Sequence, residues 1–274
     1  MKFFILNSSG NVGKSTVTRE VLYSFMPKCK IFEIETVNAS STGFNIDVEK
    51  ITDFTNFEDI YLKFIENDNL ILDVGASNLS AFCNKLMEFA GIETLFDYFI
   101  IPTIPNEKVA TDTARTILFL KSLGVPSEKI KVVFNNANTI SEFEILLMQE
   151  EKIGYKFDTN LFIPQTNLFK ELGILRKTIN EIYCENVDIY KNEILNAEAK
   201  DKLKLIKTDL ANRMAVAIYP KLKDIYEQIT NIKAINNLCF AQEKEEEKKA
   251  KDKKYALDLD ISKFAKPNDD DEEL

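Results

Sequence analysis

The sequence predicts a three-layer α/β fold, a mostly parallel sheet held between helices, and three observations predict it. Short apolar, β-rich runs alternate with longer helix-like stretches over the first 170 residues, the pattern of successive β-α units. Several of those runs are apolar at nearly every position, as strands covered on both faces require. A polar turn containing two glycines follows the first run and opens directly into a helical pattern, which puts a tight turn at a strand's carboxyl end, where open α/β sheets gather their ligands.

Taken in order, strands are predicted at 2–6, 30–35, 70–74, 98–102, 131–135 and 160–163, and helices at 14–25, 57–66, 79–90, 108–123 and 141–151. The first run has only four apolar residues after Lys2 before Asn7 and Ser8 interrupt it; that reads as a buried strand and is too short for a secretory leader. The third run ends in Asp73, Val74 and Gly75, an acid and a glycine at a strand's end. From Leu168 the pattern becomes helical, with apolar residues at helical spacing in Leu203, Ile206, Leu210 and Met214. Pro220 is expected to break this helix, and a second stripe follows in Leu222, Ile225, Tyr226, Ile229 and Ile232. Both stripes are expected to pack. Three regions are expected: an α/β core at 1–170, a helical C-terminal extension packed on it at 171–240, and a charged, solvated or disordered tail at 241–274.

Composition narrows the chemistry. The 274 residues are 45% hydrophobic, enough for one sizeable core, and carry a net charge of -9. The tail holds 12 acidic and 8 basic residues, so the remaining 32 acidic and 27 basic still leave the body acidic. That balance gives no strong signal for direct DNA binding. The chain has no histidine, and its four cysteines are widely spaced. Zinc sites and histidine-based triads are thereby set aside, and the cysteines read as small core residues. No transmembrane segment is expected, and the location is expected to be cytoplasmic.

The candidate site is the turn after the first strand: Gly10, Asn11, Val12, Gly13, Lys14, Ser15 and Thr16. Backbone N–H groups leading into a helix form an anion site, and glycines let phosphates approach. Lys14 can reach β- and γ-phosphates, Ser15 can ligate Mg²⁺, and Thr16 can support the α-phosphate. Asp73 is expected beside this loop, holding Mg²⁺ with Ser15, while the Gly75 N–H meets a γ-phosphate. An acid capping a turn would look the same as Asp73 taken alone. The full G-x-x-x-x-G-K-[ST] pattern is not met, because Ser8 stands in place of its first glycine.

These residues resemble the deviant Walker A group of P-loop ATPases, the ParA/MinD class. Gly10, Gly13, Lys14 and Ser15 match the family loop K-G-G-x-G-K-[ST], with Ser9 in place of the signature lysine and Asn11 in place of the second glycine. The S-G-N-V-G-K-[ST] variant, with Glu33, Ile34, Glu35, Thr36, Val37 and Asn38 after it, looks closest to StbB-like plasmid stability proteins. The resemblance implies a P-loop NTPase fold and catalytic parts for Lys14, Glu35 and Asp73, with Glu35 orienting water or metal. It implies adenine contacts from Asn135 and Pro164, with ATP or ADP and Mg²⁺ as ligands. A turn-forming Asn or Pro would look the same at those two positions. No guanine signature is present. The signature lysine normally reaches a partner's nucleotide, so Ser9 leaves a homodimer and fast hydrolysis open.

The function expected is an ATP-binding switch, a slow Mg-dependent ATPase in plasmid stability, partition or conjugation, working with a small DNA-binding adaptor protein. Two alternatives stand beside it. One is a metabolic ligase or kinase of dethiobiotin-synthetase-like type, with Lys108 and Arg115 as substrate contacts. The other is a nucleotide-dependent assembly module without significant hydrolysis.

Overall fold

The computed structural model describes residues 1–26, 28–34, 44, 46–185 and 187–234. Glu35 and the predicted tail at 241–274 lie outside the described residues.

Seven strands, β1 (Lys2–Ile5), β2 (Lys30–Ile34), β3 (Val48–Lys50), β4 (Leu70–Val74), β5 (Tyr98–Thr103), β6 (Ile130–Ala137) and β7 (Phe162–Pro164), form one sheet. Their order is β3-β2-β4-β1-β5-β6-β7, and every neighbouring pair is parallel. β1 is therefore central, with β5, β6 and β7 running outwards on one side of it and β4, β2 and β3 on the other. Parallel pairings of this kind need crossover connections, and helices lie between β1 and β2 and between each successive pair from β3 to β7.

Side chains alternate across each strand, so every strand feeds two cores. Phe4, Phe32, Leu72, Phe99 and Phe134 face one side, where α2 (Phe57–Glu66), α3 (Ala76–Leu86) and α4 (Glu107–Ser122) cover them. Phe4 is the hub there, with ring centroids 5.2–6.0 Å from Phe82, Phe96 and Phe99. Phe3, Ile5, Ile31, Ile71, Ile100, Val133 and Ile163 face the other side. Their cover is the helix over 14–25, here α1, with α7 (Leu168–Leu175), α8 (Ile179–Tyr183) and α10 (Ala199–Thr230). The result is the predicted three-layer α/β arrangement.

Four local expectations need correction. β3 was not predicted, because three residues at a sheet edge, Val48, Glu49 and Lys50, leave no apolar run to detect. The stretch at 141–151 is not one helix: a 3-10 turn Ile140–Phe143 leads into α5 (Glu144–Leu147), and α6 (Glu150–Ile153) is separate. Pro220 does not break its helix, since α10 runs through it from Ala199 to Thr230. Ile218, Tyr219, Leu222, Ile225 and Tyr226 are buried around it and hold the helix in place, while Pro220 itself is exposed.

The first stripe of that helix is largely exposed too, with only Met214 packed against the core. Leu203 and Leu210 are 60% and 52% exposed, because α10 turns a different line inward, through Thr208, Ala211, Asn212 and Ala215. Between Asn196 and Ala199 lies the junction with α9 (Val187–Asn196). None of the described helices is long and apolar enough to cross a membrane.

Candidate functional site

On the face covered by α1, the apolar line of four strands gives way to a polar residue two positions on: Ile5 to Asn7, Ile31 to Glu33, Ile71 to Asp73 and Val133 to Asn135. Register makes neighbours of these positions, since Ile5 and Glu33 both pair with Asp73. All four polar residues are buried. Buried polar groups persist with partners: Asn135 finds its partner in the loop between β1 and α1, Asn7 ties that loop to β5 and α4, and Asp73 is bonded by hydroxyls of α1.

Asn7 and Asn135 fix the two halves of that loop. The Ser9 N–H donates to Asn7 Oδ1 at 2.9 Å, and Asn7 Nδ2 donates to Pro102 O at 2.9 Å, tying the leading half to β5. Asn135 Nδ2 donates to Val12 O at 3.0 Å in the trailing half. Asn135 packs so closely that a Cβ on Gly13 would lie 2.1 Å from its amide nitrogen, at a φ of +95°. Only glycine fits that position without strain. Asn11 also takes a left-handed conformation, with φ 56°. An added Cβ on Gly10 would meet nothing within 4 Å. Val12 is fully buried and anchors the loop.

The Lys14 ammonium lies over this loop, donating to Ser9 O at 3.2 Å and more distantly to Asn7 O at 3.5 Å. The helix it opens is tight at first and then wide: Lys14–Thr16 is α-helical, Val17–Leu22 is π-helical and Tyr23–Phe25 is a 3-10 turn. Wide turns of this kind concentrate at functional sites.

Asp73 sits under the start of that helix. Thr18 Oγ1 lies 2.9 Å from its Oδ2 and 3.0 Å from Lys14 O, and the Ser15 hydroxyl bonds the same carboxylate. Burial pushes the Asp73 carboxyl up to about 6, against the Thr18 bond and the Lys14 charge, and neighbouring Glu33 pushes it further the same way. Two buried carboxylates on adjacent strands, with hydroxyls beside one of them, make a set of hard oxygen donors suited to Mg²⁺. A cation there would offset the burial that holds Asp73 high. The residues present fit the ion.

The structure thus brings together Gly10, Asn11, Val12, Gly13, Lys14, Ser15, Thr16, Asp73 and Asn135. Pro164 ends β7, one register step beyond the pairing of Asn135 with Ile163. The Gly75 N–H, expected to face a γ-phosphate, donates instead to Ile34 O at 2.9 Å, extending the ladder. Lys108 is exposed, and Arg115 turns towards Asp112.

Three residues of the site escaped sequence reasoning: Thr18, Glu33 and Asp112. Thr18 is three residues beyond Ser15, so both hydroxyls share a helix face, and that spacing could have found it. Glu33 was overshadowed by Glu35, although period-2 alternation with Ile31 points it at α1. Asp112 bonds the Ser9 hydroxyl from mid-helix, and no local pattern marks it.

No protein family model and no curated protein matches the chain. Among solved structures, it is similar to the cell division ATPase MinD of Pyrococcus furiosus, at 14% identity and a TM-score of 0.47, over 78% of this chain and 98% of that one. It is also similar to the septum site-determining protein MinD of Pyrococcus horikoshii complexed with Mg-ADP, at 14% identity and a TM-score of 0.44, over 80% and 98%. A third similarity is to the Cyanothece McdA–ATP complex, at 14% and 0.45, over 79% and 96%. Likeness of this degree concerns the chain trace alone.

Proposed function

We propose that the chain is an ATP-binding switch, a slow Mg-dependent ATPase of ParA-like type acting in plasmid stability or partition with a DNA-binding adaptor. The observation that carries this reading is the convergence of Lys14, Ser15 and Asp73 at the loop whose amides open α1. Amides 10–16 and the Lys14 ammonium bind the polyphosphate of ATP. Ser15 and Asp73 would hold the magnesium ion, with Thr18 donating to Asp73. Mg²⁺ supplies charge neutralisation between the phosphates. Asn135 and Pro164 border the base, and Glu35 orients water.

Hydrolysis is slow in this reading because the described site offers one ammonium and no arginine aimed at the loop. Ser9 turns its hydroxyl away, to Asp112 Oδ2 at 2.6 Å. That contact also favours a second reading, an assembly module that binds nucleotide and hydrolyses it negligibly.

ATP turnover measured with and without DNA and an adaptor protein tests the proposal. A low basal rate that the pair raises several-fold is expected, and Lys14→Ala should remove it. Turnover that depends on a small metabolite, indifferent to DNA and adaptor, would contradict it.

A further inference from the structure

The leading half of the loop has no glycine before Gly10, yet it must hold its amides and carbonyls in place for Lys14 to work. Its anchors come from α4 and β5. Asn7 Nδ2 lies 3.1 Å from Thr113 Oγ1, which donates to Thr103 Oγ1 at 3.0 Å. Ser9 Oγ donates to Asp112 Oδ2 at 2.6 Å, a short bond to a carboxylate in a buried setting. Thr116 Oγ1 holds Asp112 from the next turn, donating to its carbonyl at 2.8 Å. Ser9 is the junction. Its N–H meets Asn7, its hydroxyl meets Asp112, and its carbonyl receives Lys14.

We infer that Asp112 is a positioning residue for the phosphate loop: through the Ser9 hydroxyl it holds the leading half of the loop, and with it the Lys14 ammonium, in the conformation that accepts a polyphosphate. This rests on the nucleotide reading above. Asp112 acts from α4 through Ser9, whose hydroxyl bond it accepts.

A carboxylate beside a polyphosphate site also repels, so the two effects of Asp112 have opposite signs. Arg115 Nη1, 3.7 Å from Asp112 Oδ1, offsets part of the charge. The hydrogen bond is short and buried, whereas the repulsion acts over a longer path and is screened. Geometry therefore outweighs charge, and removing Asp112 loosens binding.

Calorimetric titration of magnesium and ATP into the full chain separates the possibilities, using wild type, Asp112→Ala, Asp112→Asn, Ser9→Ala and the Ser9→Ala/Asp112→Ala double variant. Each alanine variant is expected to weaken binding about tenfold. The double variant should be no weaker than Asp112→Ala, because both changes remove one bond. Asp112→Asn keeps an acceptor for Ser9 and should recover most of the affinity. The unfolding midpoint of each variant reports folding. If Asp112→Ala does not fold, Ser9→Ala and the near-isosteric Asp112→Asn decide the matter. Alanine variants that bind as wild type or tighter, or losses that add fully in the double variant, overturn the inference while leaving the nucleotide reading intact. A wild-type chain that gives no binding heat overturns both.

Discussion

Gly13 carries the tightest steric demand in the site, since its Cβ position is 2.1 Å from Asn135 Nδ2 and its φ is +95°. Gly13→Ala should cost about 1–3 kcal/mol of stability from backbone strain alone and also abolish nucleotide binding. Adding Asn135→Ala should relieve the collision and leave the strain, so the double variant should unfold at a temperature between Gly13→Ala and wild type. A double variant no more stable than Gly13→Ala would contradict the packing described. Glu20, buried on α1, makes a different kind of test. Burial raises its carboxyl to about 7, against the Arg19 charge and the Ile179 N–H, with Glu181 pushing upward as well. Because its folded value lies above the unfolded 4.5, the folded chain binds that proton more tightly. This contribution to stability is fully present below the unfolded value and is lost as pH rises towards 7. A single group of this kind imposes a slope of at most ~1.4 kcal/mol per pH unit. Urea unfolding across that window should show a shallower pH dependence for Glu20→Gln than for wild type, and equal slopes would contradict the burial of an acid there.

The elements differ in how much the sequence reveals of them. The strand at 70–74 and the helix at 57–66 were legible to the residue, because the strand is a near-continuous apolar run and the helix repeats its own period, each between clear breaks. β3 was not legible, since at a sheet edge only backbone pairing with β2 defines it. Proline at 220 misled for a physical reason: intrinsic propensity is a local term, and the buried residues flanking Pro220 outweigh it. The backbone N–H missing at Pro220 leaves one carbonyl of an otherwise regular helix without its bond. Pro220→Ala should therefore stabilise the chain by up to about 3 kcal/mol in urea unfolding. A destabilisation would mean that the proline sets a bend on which α10 relies. The stripe of Leu203, Ile206 and Leu210 misled in the opposite way, since its period identified the helix but not which face packs.

Across the whole molecule, the alternating strands tie two cores to a single sheet, and this was readable from near-continuous apolar runs. What could not be read was which polar residues the folding brings together. Asp73 and the loop announced themselves through local motifs, whereas Thr18, Glu33 and Asp112 acquire meaning only when sheet register and helix packing set them beside those motifs. The aromatic cluster around Phe4 tests the architecture itself, since Phe4→Ala should cost about 3–5 kcal/mol and lower the unfolding midpoint without altering the site's residues. A cost below 1 kcal/mol would show that the cluster is loosely packed. The central claim is that a polyphosphate lies on the amides between β1 and α1, neutralised by Lys14 and a divalent ion held at Ser15 and Asp73. Its most direct test is a calorimetric titration of ATP into wild type and Lys14→Ala, with and without magnesium. Saturable one-to-one binding that needs both magnesium and Lys14 is the result expected. A flat titration of the wild-type chain, or binding that survives Lys14→Ala unchanged, would contradict the account.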